Sequence, residues 1–397
     1  MNRFWIKTFV AFLLSGSVAL AAKPNVLFVI SDDLNYALSG AGHPECRTPH
    51  LDAFAKTAVS FSKAFCQFPL CGPSRASMMS GQYPEVNGVT GNGGKLKAGR
   101  VTLPKHFRNQ GYWTARVSKI YHMAIPRDIV MGGPGGDHSS SWDNAYNITA
   151  METMTPGKAE DFTHPKAMAS YPEERKRWLA AQEGRSSYQM GGTIRGNYAV
   201  VDVADEDEDL LPDTMAADRS IALLRERAER AEPFFLAVGF VRPHFPFVAT
   251  ESSLAPYKAE AMAYPDFPAD DYDDIPPQAI NARMDLSREA VRKLRRGYYG
   301  AVSFMDRQFG RLMAELDRLD LRKNTIVVFV SDHGYMLGEH QMWKKAKLWE
   351  DAIHVPLMIS VPGLPGGATC DRPVELVDLY PTLSDLAGLP ADPKIQG

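Results

Sequence analysis

Cysteine is scarce. Four in 397 residues are too few to staple a chain of this length, so Cys46, Cys66, Cys71 and Cys370 must each be judged by their own neighbours. An excess of one charge is also missing. Lys and Arg number 44 against 47 Asp and Glu, a formal net charge of -3, so nothing points to nucleic acid, and any polyanion would need a local basic patch. No apolar run reaches the roughly 20 residues that span a bilayer. There is no internal repeat and no low-complexity tail. Several common reaction signatures are absent as well: no G-x-S-x-G elbow, no P-loop and no G-x-G-x-x-G after a strand. A tyrosine-phosphatase loop fails on spacing, because Ser77 stands where its arginine would follow Cys71.

What is present is an ordinary globular composition, 45% hydrophobic, enough to bury a large core. Arg3 and Lys7 precede an apolar stretch, Thr8 to Ala22, with an A-x-A-like step at Ala19 and Ala21. This predicts a secretory leader over residues 1–21 and an exported protein, periplasmic or extracellular, with no stable membrane insertion. Residues 22–397 then read as one large α/β domain. Short runs rich in branched and aromatic residues, Val26–Ile30, Thr114–Val117, Phe234–Phe240, Ile326–Val330 and Val355–Val361, predict buried strands of a largely parallel sheet. Between them, Leu51, Phe54, Ala55 and Ala58 share one helical face, as do Val302, Met305, Phe309, Leu312 and Leu316. Alternating strands and amphipathic helices predict a doubly wound α/β fold. Residues 125–213 and 249–290 read as loop-rich excursions that rim a pocket, and the acidic run Asp205–Asp209 as a solvated loop.

Four predicted strands end in chemically capable residues, at the edge where open α/β sheets place their ligand crevice. Val26–Ile30 leads to Asp32 and Asp33, Ile326–Val330 to Asp332 and His333, Thr114–Val117 to Lys119 and His122, and Phe234–Phe240 to Arg242 and His244. Three carboxylates at one edge cannot all stay ionised without a cation. Oxygen-rich ligation fits Ca²⁺ or Mg²⁺ better than zinc, although an imidazole from His333 also suits softer metals. The segment from Pro69 to Gly81 predicts a helix with Pro73 in its first turn, Met78 and Met79 on a buried face and Gly81 as its C-terminal cap. Cys71 then sits at the helix N-terminus, which favours anions and lowers a thiol's pKa, with Arg75 one turn on.

Cys71-Gly72-Pro73-Ser74-Arg75 followed by Gly81 resembles the C-x-P-S-R signature of the type I sulfatase family, whose cysteine is oxidised to formylglycine before folding. Gly111 to His122 resembles that family's second signature, and Asp32-Asp33 and Ser331-Asp332-His333-Gly334 its metal-binding segments. The stretches Phe234–Phe240, Arg242–Phe247, Gly338-Glu339-His340 and His354–Leu357 look most like the iduronate-2-sulfatase branch. The resemblance runs from about Lys23 to the end. It implies an alkaline-phosphatase-like sulfatase fold, a formylglycine-generating or equivalent maturation enzyme as partner, and a sulfated carbohydrate as substrate.

By the same resemblance, formylglycine at position 71 forms a geminal diol; one hydroxyl attacks sulfur and the other later expels sulfate. Asp32, Asp33, Asp332 and His333, with residue 71, are the implied ligands of Ca²⁺, with Mg²⁺ second. Arg75 is implied to hold residue 71 and neutralise developing charge. Lys119 and Lys345 are implied to clamp sulfate, His122 to act as base, and His244 to bind sulfate and help protonate the leaving alcohol. Lys345 is chosen over Lys344 and Lys347 because it stands two residues after Trp343. His340 and His354 read as structural. Cys46, Cys66 and Cys370 read as small buried residues or a disulfide, and Trp343 and Trp349 as pocket or core. Ser80 and Ser118 replace the Thr and Gly usual in the family, and His333 the amide residue of many members. Family members continue past Val374–Leu383 into a smaller C-terminal subdomain, so the chain is expected to lack that part. A phosphoester or phosphonate monoester hydrolase, or a catalytically silent carbohydrate binder, are the competing readings.

Overall fold

A computed structural model describes residues 23–190, 198–277 and 286–397; the leader-like residues 1–21 lie outside these. The central sheet has nine strands: β1 (Asn25–Asp32), β2 (Val59–Phe65), β3 (Trp113–Ser118), β4 (Asn144–Tyr146), β5 (Phe234–Pro243), β6 (Thr325–Ser331), β7 (His354–Ser360), β8 (Thr369–Cys370) and β9 (Val374–Glu375). Their order is β8-β2-β7-β6-β1-β5-β3-β4, with β9 also beside β2. Only β7 runs antiparallel to its neighbours. The sheet is therefore largely parallel, as expected, with the run Val355–Val361 supplying its antiparallel member. A continuous apolar run marks burial on both faces and carries no information about direction.

Strand alternation divides the core. Leu27 and Val29 of β1 face one hydrophobic cluster, whereas Val26, Phe28 and Ile30 face the other. The first face is covered by α1 (Pro49–Ala55), α4 (Pro212–Ala228) and α5 (Arg288–Arg318). On α5 the expected stripe Val302, Met305, Phe309, Leu312 and Leu316 is fully buried. The second face is covered by α2 (Cys71–Ser80), α3 (Leu103–Asn109) and α6 (Leu379–Leu386). Helices on both faces of a mostly parallel sheet are the doubly wound arrangement, here in its alkaline-phosphatase-like form.

Strand β2 was not read from sequence. Ser60, Ser62 and Lys63 break its apolar signal, and most of it is only half-buried. The excursion 125–213 holds more regular structure than expected, including the helix Tyr171–Gln182. Its Lys158–Asp161 and Ala199–Val203 join Phe247–Thr250 in a separate three-stranded sheet. The acidic run forms a short 3-10 helix, Asp205–Leu210, with no buried residue. All four cysteines are free, so the disulfide alternative for Cys46, Cys66 and Cys370 is not realised.

Candidate active site

The C-terminal edge of the sheet brings the predicted residues together. Asp32 ends β1 and Asp33 follows it, Asp332 and His333 follow β6, Lys119 follows β3 and His244 follows β5. Asp33 and Asp332, far apart in sequence, touch through the Asp33 backbone N–H, which donates to Asp332 Oδ1 at 3.1 Å. Two turns adopt left-handed backbone to make this possible, at Asp33 (φ 66) and Ser118 (φ 60). Non-glycine residues hold that conformation only where the surroundings impose it. Gly239 lets the chain at Lys119 come close, since a Cβ there would lie 2.1 Å from the Lys119 carbonyl oxygen.

Helix α2 delivers the remaining groups. Its first residue is Cys71, Pro73 stands in the first turn, and Gly81 ends it at φ 62, as the sequence predicts. All ten residues of α2 are buried, so Arg75 is aimed into the sheet edge rather than into water. Its Nε donates to Asp332 Oδ2 at 2.7 Å and its Nη2 to Asp32 Oδ1 at 3.1 Å, while Nη1 reaches the carbonyls of Lys119 and Ile120. None of Arg75, Asp32 and Asp332 has exposed side-chain surface. Such charges are costly to bury unless paired and hydrogen-bonded; here the guanidinium joins two carboxylates.

Cys71 Sγ lies 3.0 Å from Lys345 Nζ and 3.2 Å from His333 Nε2. Lys345 also pairs with Asp33, and Lys119 with Asp32. His333 Nε2 stands 3.4 Å from Asp33 Oδ1 and 3.5 Å from Asp332 Oδ2, with Nδ1 anchored on the Gly334 carbonyl at 2.9 Å. His244 Nε2 is 3.9 Å from Asp33 Oδ2. Among the described residues His122 makes no hydrogen bond into the cluster, and its buried Nδ1 finds no partner.

These contacts order the protonation states. Burial alone would raise Asp32, but Lys119, His244, Arg75 and Lys345 outweigh it and hold the carboxyl well below its usual range. For Asp33 burial wins over Lys345, pushing the carboxyl up to about 7. Burial would also raise the Cys71 thiol, yet Lys119 and Lys345 bring it below its ordinary value. Burial together with the lysines holds His244 well below the imidazole range and takes His122 down to about 3. His333 moves the other way, to about 9, because Asp332 overcomes the cost of burial.

The donor set fits a metal ion. Asp32, Cys71, Asp332 and His333 offer ligand atoms that all lie within 4.8 Å of one another, as do Asp32, Asp33, Cys71 and His244. Asp33 Oδ2 is buried with no hydrogen-bond partner among the described residues, which leaves a lone pair for a metal.

Sequence reasoning missed the groups that brace this edge. Ser331 Oγ accepts from the Leu34 N–H at 3.0 Å and donates to the His333 carbonyl at 2.9 Å. Tyr298 donates to the Asp33 carbonyl at 2.8 Å while accepting from the Asn35 N–H at 2.9 Å. Arg242, noted at a strand end without a role, donates to the His244 and Pro246 carbonyls at 2.9 Å each and pairs with Glu152. Only the last carries a signal in sequence, as a charged residue inside an apolar run. His340 pairs with Asp271 at 2.8 Å and stacks on Trp349. His354 stacks on Tyr36, and both histidines lie away from Cys71's contacts. Trp343 is core, 2% exposed.

A buried cysteine at a helix N-terminus, facing convergent carboxylates and lysines on an alkaline-phosphatase-like sheet, is an arrangement that suits the hydrolysis of an anionic ester. The sulfatase family model matches residues 24–389. The chain is 32% identical over 388 residues to a sulfatase of Formosa agariphila and 31% identical over 419 to the iduronate 2-sulfatase of Mus musculus. In each case the match covers 93% of this chain and 70% of the relative. Among solved structures, a phosphonate monoester hydrolase from Silicibacter pomeroyi superimposes with a TM-score of 0.73 at 23% identity, over 94% of this chain and 75% of that one, a likeness of fold. The chain belongs to the sulfatase family, enzymes that hydrolyse sulfuric esters. Among the described residues no helix is long and apolar enough to cross a membrane.

Proposed function

We propose that the protein removes sulfate from a sulfated carbohydrate, in the manner of the iduronate-2-sulfatase branch, with residue 71 acting as formylglycine beside Ca²⁺. The observation that carries this reading is the placement of Cys71 Sγ 3.0 Å from Lys345 and 3.2 Å from His333, within a carboxylate cluster cross-linked by Arg75. Asp32, Asp33, Asp332 and His333 would hold the cation, and Mg²⁺ is the second choice. When bound, it supplies Lewis-acid polarisation and lowers the pKa of an oxygen nucleophile.

The chain's own groups do the rest. Lys119 and Lys345, which here pair with Asp32 and Asp33, would be free to clamp the sulfate oxygens with those carboxylates holding a cation. Arg75 cannot follow them, because both ends of its guanidinium are bound; it fixes the carboxylates and supplies a preorganised positive field. His122, uncharged by burial, accepts a proton at the residue-71 oxygen; His244, neutral here, positions sulfate and, once the bound anion's charge favours its protonation, passes a proton to the leaving alcohol. The pattern in residues 1–21 supports export, and conversion of residue 71 calls for a maturation enzyme.

Mass spectrometry of the peptide bearing residue 71 tests the nucleophile, and a thiol throughout a secreted preparation would contradict it. Matched sulfate and phosphate monoesters test the reaction. Faster sulfate turnover is expected, and faster phosphate turnover would favour the phosphoester or phosphonate reading.

A further inference from the structure

Beside the catalytic cluster lies a cavity of about 110 Å³ that the reaction above does not use. It is built on the same two strand-end loops, one step outward: Asn35 lies two residues past Asp33, and Asn35 Nδ2 donates to the Tyr335 carbonyl, two residues past His333, at 3.0 Å. That bond fixes the amide's orientation. It leaves Asn35 Oδ1 as a buried acceptor with no partner among the described residues, on a side chain whose residue is only 7% exposed. An unfilled acceptor of this kind is costly unless a ligand donates to it.

The other walls are acidic. Glu339, Glu350 and Asp351 line the cavity against a single cation, Arg295. Arg295 is already committed, to Glu339 at 2.8 Å and to Glu45 at 3.2 Å. The lining histidines do not offset the acids, since burial lowers both His43 and His354. His354 spends one nitrogen on the Ser62 carbonyl at 2.9 Å, and Nδ1, left as an acceptor, lies 3.9 Å from Glu350. A small metal ion fits less well than an organic cation. Among the described residues, groups of three or more His, Cys, Asp or Glu side chains with ligand atoms close enough for an ion occur only in the catalytic cluster.

We infer that this cavity is a substrate subsite for a protonated primary amine, with Asn35 Oδ1 and the Asp351 carboxylate as its acceptors. The inference rests on the sulfate-ester reading and narrows it: the substrate is a sulfated sugar carrying a free amino group near the ester. A uronate carboxylate in this cavity would meet like charge.

Calorimetric binding to the Cys71→Ala variant, which cannot turn over, tests the subsite with glucosamine 6-sulfate, its N-acetylated form and glucose 6-sulfate. Binding of the free amine at least tenfold tighter than either comparison ligand is expected. Asp351→Asn should erase the difference, and Asn35→Leu, which removes the unpartnered acceptor, should shrink it. Equal binding of the three ligands by the parent, or a preference untouched by both substitutions, would overturn the subsite. Turnover of an aryl sulfate lacking an amine by the protein with residue 71 intact reads the chemistry separately. Its absence would count against the proposed reaction, while the binding comparison still decides the subsite.

Discussion

Two acid-rich regions of this chain have opposite fates. The run Asp205–Asp209 is five consecutive acids, the densest negative charge in the sequence, and none of it is buried. Asp205 accepts from the Ser252 N–H at 3.1 Å, and Glu208 from Arg307 and Gln308 at 2.7 Å each; these are anchors of a surface turn. Asp32, Asp33 and Asp332 are fewer and scattered, yet each is fully buried, and every one faces a cation from another element. The density of carboxylates therefore says little about a metal or catalytic site. What makes the site is convergence from separate strands with water excluded, where Coulomb interactions are strong and an unpaired charge is expensive.

The sharpest way to break the contrast is to remove the nucleophile position without touching the charges. Cys71→Ala should cut sulfate-ester turnover by at least about 10³-fold, while calorimetry shows a melting temperature close to that of the parent. Arg75→Ala should do both kinds of damage. It leaves Asp32 and Asp332 buried without their shared guanidinium, a change expected to destabilise by about 3–5 kcal/mol in denaturant titration, with loss of turnover. An Arg75→Ala protein as stable as the parent would mean that water reaches this edge.

Chelation comes next in size. If the three aspartates hold a cation, EDTA should lower the melting temperature, and re-added Ca²⁺ at about 100 times its Kd should restore about 2.7 kcal/mol. The same treatment of an Asp32→Asn variant should change little. A protein indifferent to chelator would show that Lys119 and Lys345 suffice to neutralise the cluster.

Much of this edge was legible in the sequence, because each contributing strand is a short apolar run ending abruptly in polar residues. Asp32, Asp332, Lys119 and His244 are all such endings, and Cys71 was placed by helix punctuation, Pro73 at one end and Gly81 at the other. Lateral order was not legible. Nothing in Val59–Phe65 announces a strand two places from β6, and the apolar run of β7 reads alike in either direction. The bracing groups were hidden for a different reason. Ser331 and Tyr298 act through single hydroxyls on elements whose composition is fully explained by core packing, so only the three-dimensional contact reveals them. The choice of Lys345 among three nearby lysines came from a family pattern, and no periodicity separates it from Lys344 and Lys347.

Burial at the edge also predicts how stability responds to acid. His122 titrates near 6.5 in the unfolded chain but is held down to about 3 in the fold, by burial and then by Lys119. Between those values the unfolded state binds a proton that the folded state refuses, so stability falls as pH drops below about 6.5. From pH 7 to 5 this one group should cost about 2 kcal/mol. His122→Gln should therefore lose less stability than the parent over that interval, by about that amount in denaturant titrations at the two pH values. A parallel decline in both proteins would place His122 in water.

The smallest expected effect tests the other half of the comparison. Asp209→Asn, on the exposed face of the acidic run, removes a charge from high-dielectric surroundings and should shift stability by no more than about 0.5 kcal/mol, leaving both turnover and the response to EDTA unchanged. Asp33→Asn, a substitution of the same chemical type, should abolish that response, since it takes an oxygen ligand from a buried cluster. If Asp209→Asn altered the Ca²⁺ dependence, the surface run would be binding the ion, and burial would lose its standing as the feature that separates the two regions.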